Sequence, residues 1–280
     1  MSDDVRLEAH ATELLTAYDA ARPMPLLVPR EGGLSLPDAF AVADRVRARR
    51  IARGEHPLGY KIGFTNRTLW DRYGVHAPIW GPVWSTTVRQ IDGTVHETSL
   101  RGLVQPRLEP EVMFGIGRTP RAGMSMGELA DCLEWVAHGF EIVHTHFEGW
   151  RFAAADTVAD FALHGRLFVG PRVPVARFRD LRGELAALRV QLRADGRTVD
   201  EGVGTNVLDG PLDALRTWVD AMHAQTPSWP IRAGDIVTTG TLTDAYPMAP
   251  GVRYESALSD ARLPGLTLVT ARAGALSASR

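Results

Sequence analysis

The 280 residues are 45% hydrophobic and 23% charged with a formal net charge of −2, a globular composition with ample material for a core and no bulk charge to draw the chain to nucleic acid or anionic membrane. No apolar run reaches membrane-spanning length, and the single cysteine, Cys132, excludes an intrachain disulfide and fits a reducing compartment. With no secretory leader in the acidic MSDD start, the expectation is a cytoplasmic chain without nucleic-acid or membrane partners.

The first predicted elements are two helices, VRLEAHATELLTAYDAAR and PDAFAVADRVRARRIARG, separated by the Pro- and Gly-rich PMPLLVPREGG. They are expected to cap an N-terminal unit of residues 1–85, ahead of a unit of residues 86–280. The basic run RVRARRIAR at 45–53 lacks interleaved aromatics, so its arginines are assigned to the solvated face of the second helix. From Leu58 onward short β-rich runs broken by Gly, Pro and Asp take over. In the first, GYKIGF, an extended backbone puts Tyr60, Ile62 and Phe64 on one face and Lys61 on the other with Gly59 and Gly63. A lysine between glycines has room beside it for a ligand; an ordinary surface lysine explains the local sequence equally well.

QPRLEPEVMFG, at 105–115, places Glu109 and Glu111 two residues apart. They converge only if the segment is extended, and Pro106 and Pro110 disfavour a helix there. Pro110 points to an edge or the start of a strand. Two carboxylates on one face repel, so one takes a proton or a cation sits between them; from spacing alone, both pointing into water is the commoner arrangement. Gly115-Ile-Gly117 precedes Pro120 and so prepares no helix N-terminus for a phosphate.

MSMGELADCLEWVAHG reads as an amphipathic helix with Cys132 as a core thiol. In the next run, WVAHGFEIVHTHF, Glu141 has apolar neighbours, where an ionised carboxylate is costly unless paired or bound to metal. Three carboxylates without soft or imidazole donors form an oxygen site suited to Mg²⁺ or Mn²⁺. His144 and His146 would favour Zn²⁺, but strand alternation sets them opposite Glu141, and a structural role is expected of them. PLDALRTWVDAMHA reads as a helix with Asp209 as N-cap and Pro211 in its first turn. GDIVTTGTLTDAYP ends in a turn whose N–H groups and hydroxyls, from Thr238 to Thr243, could hold a carboxylate. Strands too irregularly spaced for βαβ winding point to an α+β fold, a mixed and largely antiparallel β core with flanking helices.

GYKIGFT, QPRLEPEVMF, FEIV around Glu141, DTVAD at 156–160 and AGDIVTTGTLT resemble, in order and spacing, the 2-keto-4-pentenoate hydratase and 4-oxalocrotonate decarboxylase family of the fumarylacetoacetate hydrolase superfamily, over about residues 35–270. The resemblance implies a mixed β roll behind a small helical N-terminal domain. It implies Glu109, Glu111 and Glu141 as ligands of Mg²⁺ or Mn²⁺, Lys61 as the acid/base residue, and Thr239, Gly240 and Thr241 as the turn holding substrate carboxylate. The implied activity is that of a homo-oligomeric lyase hydrating a 2-hydroxy-2,4-dienoate to a 4-hydroxy-2-oxo acid through a metal-stabilised enolate. A 4-oxalocrotonate-type decarboxylase, an acylpyruvate-type hydrolase, and a non-catalytic partner subunit of an active paralogue are the alternatives. The chain departs from the family at Phe161-Ala162-Leu163-His164, where relatives carry Asn-Ala-Ser-Ser, and at His144-Thr145-His146, where they carry Asp-Ser-Arg. If Phe161, Leu163 and His164 reach the substrate, with His164 as a substrate-binding imidazole, bulk replaces hydrogen-bonding groups and monocarboxylate substrates are expected to be preferred.

Overall fold

A computed structural model describes residues 3–73, 75, 77–225 and 229–272. The two N-terminal helices form as expected, α1 over Asp3–Ala20 and α2 over Leu36–Ala52. Ser35 and Asp38 close a reciprocal capping box at the start of α2, each side chain accepting from the other's backbone N–H. The arginines of α2 are not simply solvated. Arg45 and Arg49 reach Asp4 and Glu8 on α1, and Arg53 reaches Asp19. Arg50 is 1% exposed, pairs with Glu55 at 2.7 Å and lays its guanidinium against the rings of Tyr18 and Trp84. A planar, weakly hydrated cation can be buried this way when its charge is paired and its faces meet aromatic rings.

The chain then runs through β1 (Pro57–Gly63), α3 (Trp70–Tyr73), β2 (Ile79–Trp84), β3 (Val88–Gln90), β4 (Val95–Thr98), β5 (Arg107–Ile116), α4 (Met126–Ala130), β6 (Leu133–Val143), α5 (Ala154–Ala159), β7 (His164–Val169), β8 (Val173–Pro174), α6 (Leu181–Ala186), β9 (Arg189–Ala194), β10 (Arg197–Val203), α7 (Pro211–Ala224), β11 (Ile236–Thr241), β12 (Tyr246–Pro247), β13 (Arg253–Leu258) and β14 (Thr267–Thr270). Among the described residues these form a nine-stranded sheet, β2-β1-β11-β5-β6-β7-β3 with β12 on β5 and β8 on β6, and a five-stranded sheet, β10-β9-β13-β14-β4. Pairing is antiparallel except for β1–β11, β3–β7 and β14–β4, so the expected mixed, largely antiparallel α+β architecture is observed.

β1 and β2, inside the expected unit of residues 1–85, are strands of the same sheet as β5 and β6. What stands apart from that sheet in the N-terminal region is the helical layer. α1, α2 and α7 share one buried apolar cluster with Tyr60, Ile62, Val112, Phe114 and Val237 of the sheet. Farther along, Leu108, Phe140, Ile142 and Phe168 meet Leu192, Tyr254 and Leu268 of the smaller sheet. The opposite parity of β5 and β6 carries Met113, Ala137 and Trp135, packed with Leu167 and Val169. That second apolar layer lies beneath the three carboxylates described below.

Three expectations are corrected. The helix over MSMGELADCLEWVAHG is a short turn, α4, after which the chain becomes β6 at Leu133, with buried Cys132 at the junction. β5 pairs along nearly the whole of β6, from Arg107 opposite Val143 to Ile116 opposite Leu133, and β7 takes the other edge; these pairings override the local helical periodicity. Asp209 does not cap α7: Gly210 occupies that position and Asp209 pairs with Arg67 at 2.9 Å. Pro110 lies in a central strand rather than at an edge. It is tolerated because β5 changes neighbour there: residues 111–115 pair with β11, residues 107–108 with β12, and Leu242 N–H reaches Pro110 O across the changeover.

Candidate active site

The site is built by strand register. Glu109 on β5 stands directly opposite Glu141 on β6, and Glu111 follows two residues along on the same face. One oxygen from each of the three carboxylates lies within 4.8 Å of the others. β1 brings Lys61 to this cluster from across β11, with its Nζ 3.1 Å from Glu141 Oε2. Lys61, Glu111 and Glu141 are at most 2% exposed, whereas Glu109 is half-buried beneath an opening. Gly59 lets β1 and β11 meet this closely, since a Cβ there would lie 1.9 Å from Ile236 O.

The Thr239-Gly240-Thr241 segment is a bulge in β11, two residues standing between Thr238 and Thr241 where β5 has one between Met113 and Glu111. Gly240, at φ +99°, passes so close to Thr65 that a Cβ would lie 1.9 Å from its Oγ1. The Gly240 N–H donates to Glu111 Oε2 at 2.9 Å, and Thr239 Oγ1 donates to Val112 O. Two of the three residues expected to hold substrate carboxylate thus have a donor committed to β5, while Gly240 and Thr241 border the cavity.

His164 opens β7 and turns to the carboxylates. Its Nδ1 is 2.8 Å from Glu141 Oε1 and its Nε2 is 2.8 Å from Thr87 Oγ1. It is not among the cavity-lining residues, and Phe161 packs its ring 4.8 Å from that of Tyr18 instead. Leu163 and Ala162 do line the cavity. Phe161, Ala162 and Leu163 all hold φ between +50° and +64°, three successive left-handed residues without a glycine, at a cost of about 1–2 kcal/mol each. This turn places Leu163 over the site and His164 against Glu141.

His144 and His146 lie past the end of β6. His146 Nδ1 meets Asp160 at 2.5 Å, and Val104 N–H donates to His144 Nδ1 at 3.3 Å. Asp160 also accepts from Thr145, and Asp156 accepts from the N–H groups of Leu27 and Val28, so both acids of DTVAD fasten backbone segments. Among the described residues, the acidic and imidazole groups that converge as a ligand set are Glu109, Glu111 and Glu141.

The electrostatics are those of crowded carboxylates. Burial pushes Glu109 up to about 7, with Lys61 opposing and Glu141 reinforcing the rise. Glu111 is raised well above the usual range by burial, then by Glu141 and Glu109. For Glu141 burial acts upward, but Lys61 and then His164 outweigh it and hold the group below its ordinary value. Lys61 is raised because the three carboxylates outweigh the burial that opposes its charge. Glu111 Oε1 is buried without a hydrogen-bond partner. A hard divalent cation fits this set: the donors are all oxygens, one is orphaned, and their mutual repulsion is what such a charge relieves.

Above the cluster opens a cavity with Lys61 and Glu109 at its floor and Phe64, Trp150, Phe152 and Leu163 among its walls. Arg107, which the sequence reading passed over, also lines it. The signal was available, because Arg107, Glu109 and Glu111 follow the same period of two.

No family model matches the chain. It is 32% identical over 246 residues to a 2-keto-4-pentenoate hydratase of Paraburkholderia phymatum, covering 86% of this chain and 89% of that one. It is 29% identical over 256 residues to a 2-hydroxyhexa-2,4-dienoate hydratase of Comamonas testosteroni, covering 91% and 94%. The 4-oxalocrotonate decarboxylase of Pseudomonas putida G7, solved with magnesium and adipate, shares the fold with a TM-score of 0.86 at 23% identity, over 96% of this chain and 98% of that one. The sequence motifs and the relatives agree: the chain belongs to the 2-keto-4-pentenoate hydratase and 4-oxalocrotonate decarboxylase family.

Proposed function

We propose that this chain is a divalent-metal-dependent hydro-lyase that adds water to a 2-hydroxy-2,4-dienoate, giving a 4-hydroxy-2-oxo acid. The observation that carries the reading is the convergence of Glu109, Glu111, Glu141 and the Lys61 ammonium at the floor of one apolar-walled cavity. Glu109, Glu111 and Glu141 would hold the ion, Mg²⁺ or Mn²⁺. When bound it supplies Lewis-acid stabilisation of negative charge on the C2 oxygen of a 2-oxo acid.

Lys61 is the proton carrier. Its Nζ is fixed by Glu141 at 3.1 Å, and the carboxylates keep it charged and ready to donate. For 2-hydroxypenta-2,4-dienoate, the 2-hydroxyl gives up its proton and C5 gains one through Lys61, which yields the 2-oxo-3-enoate. Water then adds across C3 and C4, its oxygen to C4 and a proton to C3, which gives 4-hydroxy-2-oxopentanoate. Phe64, Phe152 and Leu163 shield the conjugated chain from bulk water, and Gly240 and Thr241 form the polar border beside the carboxylates. His164 holds Glu141 by one oxygen, leaving the other toward Lys61; its role in this reading is to position a ligand rather than to touch substrate.

The decarboxylase and C–C hydrolase readings share this floor, and no side chain singles either out. A non-catalytic partner subunit would have no use for a buried lysine at the ligand cluster. The reading carries with it a cytoplasmic homo-oligomer, checked by light scattering of the purified protein. Among the described residues no helix is long and apolar enough to cross a membrane. The test is turnover of 2-hydroxypenta-2,4-dienoate, followed by loss of dienol absorbance with product identification. Formation of 4-hydroxy-2-oxopentanoate with Mg²⁺ and its loss in EDTA are expected. Release of CO₂ from oxalocrotonate without any hydration of the dienoate would overturn the assignment.

A further inference from the structure

Thr87 stands in the turn between β2 and β3, 5% exposed and not among the residues that line the cavity. Its N–H donates to Trp84 O at 2.9 Å, closing the turn, and its carbonyl accepts from Leu167 N–H of β7 at 3.0 Å. A backbone held on both sides presents the hydroxyl to the first residue of β7. Thr87 Oγ1 lies 2.8 Å from His164 Nε2, and Nδ1 of the same ring lies 2.8 Å from Glu141 Oε1.

The roles follow from the hydroxyl's single proton and two lone pairs. Trp84 N–H donates to Oγ1 at 3.1 Å and occupies one lone pair. Trp84 O, at 3.2 Å, and His164 Nε2 then compete for the proton. Trp84 O already accepts from Thr87 N–H, and the imidazole contact is the shorter. Were the proton on the Trp84 side, Nε2 would carry a hydrogen, and a neutral ring would turn its Nδ1 lone pair against the Glu141 carboxylate. A ring protonated at both nitrogens would set a second cation beside Lys61 on a carboxylate that is also to hold a metal ion. With the hydroxyl donating to Nε2, Nδ1–H donates to Glu141 Oε1 and Oε2 stays toward Lys61. We propose that Thr87 is a positioning residue: its hydroxyl fixes His164 as the neutral ring protonated on Nδ1, and so aims Glu141 as a metal ligand. The inference rests on the proposed metal centre and extends it one hydrogen bond beyond His164. His164 is 1% exposed, so bulk water cannot stand in for the hydroxyl.

Neutron diffraction from crystals grown in D₂O with Mg²⁺ should show deuterium on His164 Nδ1, none on Nε2, and the Thr87 deuteron directed at Nε2. Deuterium on Nε2, with or without one on Nδ1, overturns the inference. Calorimetry of Mg²⁺ binding gives a second readout. Thr87→Val should weaken binding about 3- to 10-fold, the net worth of one neutral hydrogen bond, and Thr87→Ser, which keeps the hydroxyl, should retain wild-type affinity. In the His164→Ala background, where the hydroxyl has no ring to hold, Thr87→Val should cause no further loss. Wild-type affinity in Thr87→Val overturns the inference, and so does an equal loss in both backgrounds, which would give Thr87 a merely structural role. Failure of the wild type to bind Mg²⁺ would instead sink the proposed function, and the inference with it.

Discussion

Lys61 and His164 both reach Glu141, one on each oxygen, and their removal should have different consequences. Lys61→Met is expected to lower kcat by about 10²- to 10⁴-fold, the range for a lost proton-transfer group, without weakening Mg²⁺ binding, since the lysine repels the ion; unchanged turnover would refute the proton-carrier role. His164→Ala releases one oxygen of a ligand and should weaken Mg²⁺ binding by about 10- to 100-fold, and calorimetry giving wild-type affinity would show that the contact positions nothing. Glu109 sets a pH dependence whose sign can be worked out. Its pKa is raised from 4.5 to about 7 in the folded chain, so between those values the folded state holds a proton that the unfolded state has lost. The contribution to stability is fully present below about 4.5 and is lost as pH rises through about 7. In EDTA, Glu109→Gln, which never ionises, should therefore match the wild type at low pH, exceed its Tm progressively between about 4.5 and about 7, and keep a constant lead above that. Parallel curves across that range would contradict the assignment. Period-two spacing and an acid in an apolar run marked these carboxylates as candidates, but spacing alone favoured solvent for Glu109 and Glu111, and it was the family resemblance that grouped the three. The hand of His164 on Glu141 was not legible, since it depends on the β6–β7 register.

Elements show the same division. α1, α2 and β1 are encoded locally, by helical periodicity, a Ser-x-x-Asp cap and a glycine-flanked strand. β6 is not: its first half has helical periodicity, and only pairing with β5 and β7 makes it a strand. The left-handed turn at 161–163 was equally hidden, because Phe-Ala-Leu lacks the Gly or Asn that marks such a conformation. That gives a prediction. Ala162 sits at φ +50°, so Ala162→Gly relieves the left-handed penalty while adding the usual unfolded-state entropy cost of about 0.5–1 kcal/mol. Stability should be unchanged or raised, in contrast to the loss at an ordinary strand position. A denaturant midpoint lowered by more than that entropy cost would show that the turn is not strained.

At the scale of the whole molecule, the fold serves to bury charge. The nine-stranded sheet shares a buried apolar cluster with the helices, while Met113, Ala137, Leu167 and Val169 form the dry layer beneath the glutamates. Such a layer raises the cost of the carboxylates' repulsion and so raises the worth of a cation among them. Composition and motif order carried the α+β class and the family resemblance. The placement of β1 and β2 within the catalytic sheet depends on long-range pairing that no local pattern encodes. The proposed chemistry requires Glu109, Glu111 and Glu141 to act as one metal centre. The direct test is a Mn²⁺ titration followed by the electron paramagnetic resonance of the free ion, with the wild type beside Glu111→Gln. We predict one Mn²⁺ per chain for the wild type and no binding at the same concentrations for a folded Glu111→Gln; equal stoichiometry and affinity in the two proteins, or no binding by the wild type, would contradict it.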